Sequence, residues 1–68
     1  MDKAAIGKAL SDLRKTRGES LMDVAKAIGA RQSAISMYEN GERIPRDDVK
    51  LRLADHFGVS VEQIFFAR

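Results

Sequence analysis

With 68 residues and no cysteine, the chain has room for one small domain, residues 1–68, held together by packing rather than by disulfides or thiolate-bound metal. The formal net charge of +2 is compatible with a polyanionic partner, although a solvated surface of mixed charge would give the same balance. Charged residues interrupt every apolar run, so we expect no membrane span or secretory leader and a cytoplasmic location.

Apolar residues at helical spacing predict a first helix from Lys3 to Thr16, with Ile6, Leu10 and Leu13 on one face. The pattern stops before Gly18, because a glycine readily takes the left-handed conformation that ends a helix.

Two shorter helices follow. Ser20 with Asp23 resembles a capping box that opens the second helix, which ends at Gly29. The third helix begins at Gln32, only about two residues later, and ends at Asn40-Gly41. The predicted inward-facing residues are Val24, Ala25, Ile28, Ile35 and Tyr38.

Pro45 precedes or starts a fourth helix that ends at Gly58, and Ser60 with Gln63 forms a second capping box that opens the last helix. Their predicted inner faces contain Val49, Leu53, Ala54, Phe57, Val61, Ile64 and Phe65. The fold class is therefore all-α, a compact bundle of five helices.

The second and third helices carry the packing pattern of a helix-turn-helix. Ala25 and Gly29 are small where two helices joined by a tight turn must approach, and Ile35 is the apolar residue that seats the third helix on the second. Any hairpin of two helices can show one of these features, so the pattern also fits a helical hairpin that does not bind DNA. The exposed edge of the third helix presents Gln32, Ser33, Ser36 and Met37, and short polar side chains suit the edges of DNA bases.

The pattern G-x-S-x-x-x-V-A from Gly18, followed by I-G-x-x-Q-S-A-I-S-x-Y-E-N-G from Ile28, resembles the Cro/repressor (Xre-type) helix-turn-helix family over residues 6–65. The resemblance implies a lambda-repressor-like bundle in which the third helix enters the major groove and the second crosses the phosphates. The predicted function is sequence-specific binding of double-stranded DNA by a transcriptional regulator, in the first instance a repressor.

The resemblance also implies roles for residues of the third helix. Gln32 lies where the family contacts a base, and a glutamine can pair with adenine. Arg31 stands where the family has a capping Ser or Thr, which predicts either a contact with a phosphate or a guanine at the edge of the site or an ordinary surface arginine. Met37 replaces a polar residue and can contact a thymine methyl group or be an exposed methionine without function.

The resemblance also implies phosphate contacts from Asn40, Arg43 and Arg46. Leu21 stands where many relatives have a phosphate-binding glutamine, which leaves only its backbone N–H for this contact. Arg14 and Glu39 match a pair of family positions that form a structural ion pair.

Phe66 falls outside the inner face of the last helix, which predicts either a frayed aromatic end or a two-fold homodimer through Val61, Phe65 and Phe66. A dimer would bind a near-palindromic operator.

The sequence carries few features of functions other than DNA binding. With one histidine, His56, interpreted as an ordinary surface residue, and no glycine-rich phosphate loop, the chain offers few parts for catalysis. We expect no enzyme activity, cofactor, metal or small-molecule ligand. The remaining alternative is a protein-interaction module, such as an antitoxin-like partner, on the same fold.

Overall fold

The computed structural model describes residues 2–66, which form five α-helices and no strand. The helices are α1 (Lys3–Thr16), α2 (Leu21–Ile28), α3 (Gln32–Glu39), α4 (Asp47–Phe57) and α5 (Val61–Phe65). The all-α, five-helix prediction is confirmed. None of the helices within residues 2–66 is long and apolar enough to cross a bilayer.

Local sequence signals set the helix ends. Both predicted capping boxes are present: Ser20 exchanges hydrogen bonds with Asp23, and Ser60 with Gln63. α2 ends because Gly29 takes a φ of 71°, a left-handed conformation that other residues adopt only at a cost.

The core lies where α1 packs on α3 and α5, α2 on α3 and α4, and α4 on α5. Leu53, Ile64 and Val24 have the largest fully buried side chains. Phe65 also belongs to this core, with only 3% of its surface exposed. This corrects its assignment to a dimer interface, since a side chain already buried within one copy has little surface to offer a second.

Two glycines differ from what their sequence context suggests. Gly29 is not the point of close approach between α2 and α3, because a Cβ built there would meet nothing within 4 Å. The close approach occurs at Gly7, where a Cβ would clash with the backbone carbonyl oxygen of Glu39. Gly7 therefore lets the backbone of α1 lie directly against the C-terminal end of α3.

Candidate nucleic-acid interface

The α2–α3 unit is held by buried apolar residues on either side of its turn. The N–H of Ala30 donates to the carbonyl of Ala25 at 2.9 Å, which closes α2, and Arg31 is the N-cap of α3. Ala25 and Ile35 are both buried in the shared core, as is Tyr38. The inner face of α3 therefore packs in the core, and the opposite edge faces solvent.

That outer edge is polar and accessible. Gln32 and Ser33 are exposed in the first turn, and Ser36 and Met37 are half-buried in the next. At its far end, the side-chain amide of Asn40 lies 3.4 Å from the hydroxyl of Ser36, a long hydrogen bond that joins a predicted base contact to a predicted phosphate contact. The four predicted base-contact residues within α3 therefore form one continuous edge, and we name it the α3 edge: Gln32, Ser33, Ser36 and Met37.

The N-terminal end of α3 lacks a side-chain cap. Arg31 occupies the N-cap position with extended backbone, and its side chain makes no capping hydrogen bond. The first turn of α3 also contains no acidic residue. Such an end favours an external anion, because its N–H groups and the helix dipole carry positive charge that nothing local offsets.

The start of α2 is different, because its own side chains already occupy it. The backbone N–H of Ser20 donates to the Asp23 carboxylate, and this bond, with one from the Ser20 side chain and a nearby Lys26, holds the pKa of Asp23 below its ordinary value. Leu21 is half-buried and packs against the core. A phosphate approaching the backbone of Leu21 would therefore meet a carboxylate only two residues away.

The C-terminal end of α3 is fixed to α1 by the ion pair between Arg14 and Glu39. Arg14 Nε lies 2.7 Å from Glu39 Oε2 and Nη2 lies 3.0 Å from Oε1, so the contact is bidentate. The hydrogen bonds to Glu39 raise the pKa of Arg14 above its ordinary value. A third bond, from Arg14 Nη1 to the carbonyl of Glu19 at 3.0 Å, extends the link to the α1–α2 connection.

His56 has a specific partner that the sequence did not indicate. Its Nε2 lies 2.8 Å from Glu19 Oε2, while Arg17 donates to the other carboxylate oxygen at 2.9 Å. His56 is half-buried and joins α4 to the α1–α2 connection, so it is not the ordinary surface residue we expected. No sequence signal identifies such a contact, because 37 residues separate the two partners.

An apolar patch lies away from the core at the α4–α5 corner. Leu51 and Phe66 are 62% and 55% exposed, and with the half-buried Val61 they line a cleft of about 200 Å³. Asp47 and Lys50 border the same cleft. We refer to Leu51, Val61 and Phe66 as the apolar patch.

Comparison with known proteins places this chain in a helix-turn-helix family. Residues 5–64 match the model of a family described as "Helix-turn-helix domain". Over 51 residues, the chain is 37% identical to a protein of Pyrococcus abyssi named as an HTH-type transcriptional regulatory protein, covering 75% of this chain but only 16% of that protein.

Solved structures show the same fold. The restriction-modification controller protein C.AhdI from Aeromonas hydrophila aligns with a TM-score of 0.88 and 26% identity, covering 94% of this chain and 97% of that one. The clp gene regulator ClgR from Corynebacterium glutamicum aligns with a TM-score of 0.87 and 23% identity over 97% of this chain and 70% of that one.

Proposed function

Since the chain belongs to the helix-turn-helix domain family and is of the Xre type, we propose that residues 1–68 form one DNA-binding domain that reads double-stranded DNA by sequence. The observation that carries the proposal is the α3 edge: its first turn presents exposed polar side chains, while Ile35 and Tyr38 hold the opposite side of the helix in the core. An α-helix presented in this way fits the major groove.

Base discrimination is assigned to the α3 edge. Gln32 is exposed in the first turn, where its amide can pair with N6 and N7 of adenine. Ser33 and Ser36 reach bases or phosphates, and the half-buried Met37 contacts a thymine methyl group. Arg31, at the end of the edge, contacts a guanine or a phosphate.

Phosphate contacts set the register of the domain on the duplex without selecting sequence. We assign them to Asn40, Arg43 and Arg46, which are exposed at the end of α3 and in the connection to α4. The backbone of Leu21 contributes a weaker contact, because Asp23 adds negative charge beside it.

Selection of bound duplexes from a random pool, at low and at moderate salt, tests the proposal. We expect one recurrent motif at both salt concentrations and an affinity that falls steeply with salt as counterions are released. A chain that binds no duplex at low salt, and holds a protein partner with little dependence on salt, would favour the antitoxin-like alternative.

We place the regulator in the cytoplasm and assign it a repressor role, in which a bound copy blocks access of polymerase to the promoter. Transcription in vitro from a promoter containing the selected motif tests this role. Repression is expected as the protein saturates the motif, and an increase in transcript would contradict it.

The apolar patch supports a homodimer with a second copy of this chain. Leu51 and Phe66 are large, exposed apolar side chains, and the patch is bordered by both an anion and a cation, Asp47 and Lys50. A two-fold axis through the patch would cover this apolar surface, while Lys50 Nζ and Asp47 Oδ1, 3.7 Å apart, pair within each copy at its border. The dimer predicts a near-palindromic operator with half-sites about one helical turn apart.

Light scattering across a concentration series tests the dimer. Leu51→Ser and Phe66→Ser are expected to shift the wild-type dimer toward monomer. Met22→Ser is the matched control, because Met22 is also a large exposed apolar residue but lies in α2, outside the patch. A wild-type protein that is monomeric at high concentration would contradict the dimer.

A further inference from the structure

A second cleft, of about 280 Å³, lies between the α2–α3 turn, the α3–α4 connection and α4. Four arginines line it, and we call it the arginine cleft: Arg31, Arg43, Arg46 and Arg52. They come from three separate segments of the chain, so only the fold brings them together. Arg52 has no place among the residues that the sequence pattern assigned to DNA.

The charge of the arginine cleft is only partly balanced. Arg46 Nε lies 3.8 Å from Asp48 Oδ1, and Arg52 Nη2 lies 3.4 Å from Asp48 Oδ2, so two guanidinium groups share one carboxylate. The exposed side chains of Arg31 and Arg43 make no hydrogen bond or ion pair within residues 2–66. An anion bound here would relieve repulsion among four cations that share a single carboxylate within the described residues.

The size and lining of the cleft favour a small anion. Ala30 and Ala34 contribute short side chains to its lining, which leaves space between the arginines. Its volume is just below the range of about 300–1,000 Å³ typical of drug-sized ligands. A guanidinium group offers a planar fork of N–H donors that matches two oxygens of a phosphate.

Arg52 connects the cleft to the helix-turn-helix unit. Its Nη1 donates to the carbonyl oxygen of Ile28 at 3.3 Å, so the side chain is held against the last turn of α2 while about half of it remains exposed. One guanidinium group of the cleft is thus positioned before any ligand arrives, and an anion would compete with Asp48 for it.

We propose that the arginine cleft binds one phosphoryl group. Its two sources are a backbone phosphate of the duplex and a free phosphorylated small molecule. In the duplex form, the inference rests on the proposed function and assigns Arg31 to a phosphate rather than to a guanine.

The first arm of the test uses pyrophosphate and the isolated protein, followed by amide and arginine Nε–H NMR signals at constant ionic strength. We expect saturable shifts confined to the cleft, including the amides of Ala30 and Ala34. Arg31→Gln and Arg52→Gln are each expected to weaken pyrophosphate binding at least threefold. Lys15→Gln is the control, because it removes one exposed positive charge at the end of α1.

The second arm measures duplex affinity against salt for the same variants. If the cleft holds a backbone phosphate, Arg31→Gln makes duplex affinity less sensitive to salt. The slope of the logarithm of the association constant against log salt becomes less negative by up to about 0.9, with the selected motif unchanged. Arg52→Gln is expected to do the same, and its thermal melt shows whether losing the bond to Ile28 has unfolded it. Arg31→Gln keeps the test decisive in that case, because the Arg31 side chain makes no hydrogen bond or ion pair within residues 2–66 that the substitution could break.

The second arm distinguishes the two sources: a changed salt slope in the variants assigns the cleft to a backbone phosphate, and an unchanged slope with saturable pyrophosphate binding assigns it to a free phosphorylated molecule. If wild-type protein binds duplex but neither arm responds to the variants, the inference is overturned while the proposed function stands. If no duplex is bound but pyrophosphate saturates the cleft, the proposed function fails and the cleft remains a phosphate site. A changed motif for Arg31→Gln, with an unchanged salt slope and no pyrophosphate shifts, assigns Arg31 to a base and overturns the inference.

Discussion

The two ends of α3 are built in opposite ways. At the C-terminal end, Gly7 admits the backbone of α1 and Arg14 holds Glu39 with two hydrogen bonds. At the N-terminal end, Arg31 provides no cap and Gln32 is exposed. The helix is therefore anchored at one end, while the other, where we place the contact with adenine, is left chemically unsatisfied and available to DNA.

Removing the anchor at the C-terminal end should have the largest effect. Glu39→Ala leaves Arg14, whose side chain is only 15% exposed, without its carboxylate. We expect a loss of about 2–3 kcal/mol in the free energy of unfolding, somewhat below the cost of breaking a fully buried pair. Urea denaturation measures it. Asp12→Ala, which breaks the exposed pair with Lys8 in the same helix, is the control and should change stability far less.

Adding a side chain where α1 contacts α3 should have the next largest effect on stability. Gly7→Ala puts a Cβ against the carbonyl of Glu39, and the resulting overpacking lowers the free energy of unfolding by about 1–3 kcal/mol. The higher helix propensity of alanine offsets about 1 kcal/mol of this loss. Ala5→Gly, at an exposed position of α1, measures the propensity difference alone. A Gly7→Ala variant more stable than wild type would show that α3 is not seated on this backbone contact.

Restoring a side-chain cap should have a smaller effect on stability, and this effect should be stabilising. Arg31→Ser supplies the missing acceptor at the N-terminus of α3 and should stabilise the protein by about 1 kcal/mol. The same change should weaken DNA binding, because it removes a cation from the edge of the site. Thermal melts and duplex affinities on one preparation measure both. Unchanged or tighter DNA binding would mean that Arg31 takes no part in binding.

The smallest effect is expected at the already capped start of α2. Because the pKa of Asp23 is lowered by folding, its contribution is fully present above the ordinary aspartate value of about 3.9 and is lost as pH falls through the lower folded value. Asp23→Asn should therefore flatten the acid limb of the stability profile. It should also tighten duplex binding slightly, since it removes a negative charge beside Leu21. An acid limb identical to that of wild type would contradict this assignment.

The contrast between the ends of α3 also marks how far sequence reasoning reaches. The helices were predictable because local signals set them, such as the apolar spacing of α1 and the capping box of Ser20 with Asp23. The missing side-chain cap at the start of α3 was likewise predictable, because an arginine at the N-cap position offers no acceptor for the free N–H groups.

Contacts between distant segments were not predictable in the same way. Gly29 was predicted both to end α2 and to allow a close approach of α3, and it does only the first, whereas Gly7 is the packing glycine and lies in an unremarkable stretch of α1. Period and propensity describe one helix at a time, so they do not report which residue faces a neighbouring backbone. The contact of His56 with Glu19 and the position of Arg52 in the arginine cleft were not predicted from the sequence for the same reason.

The most direct test of the account pairs Gln32→Ala with substitution of single base pairs in the selected motif. If Gln32 reads an adenine, replacing that base pair costs wild-type protein about 1–3 kcal/mol of binding free energy. The same replacement should cost the variant almost nothing, while the other positions discriminate as before. Equal penalties in both proteins at every position would show that the exposed start of α3 does not read the bases.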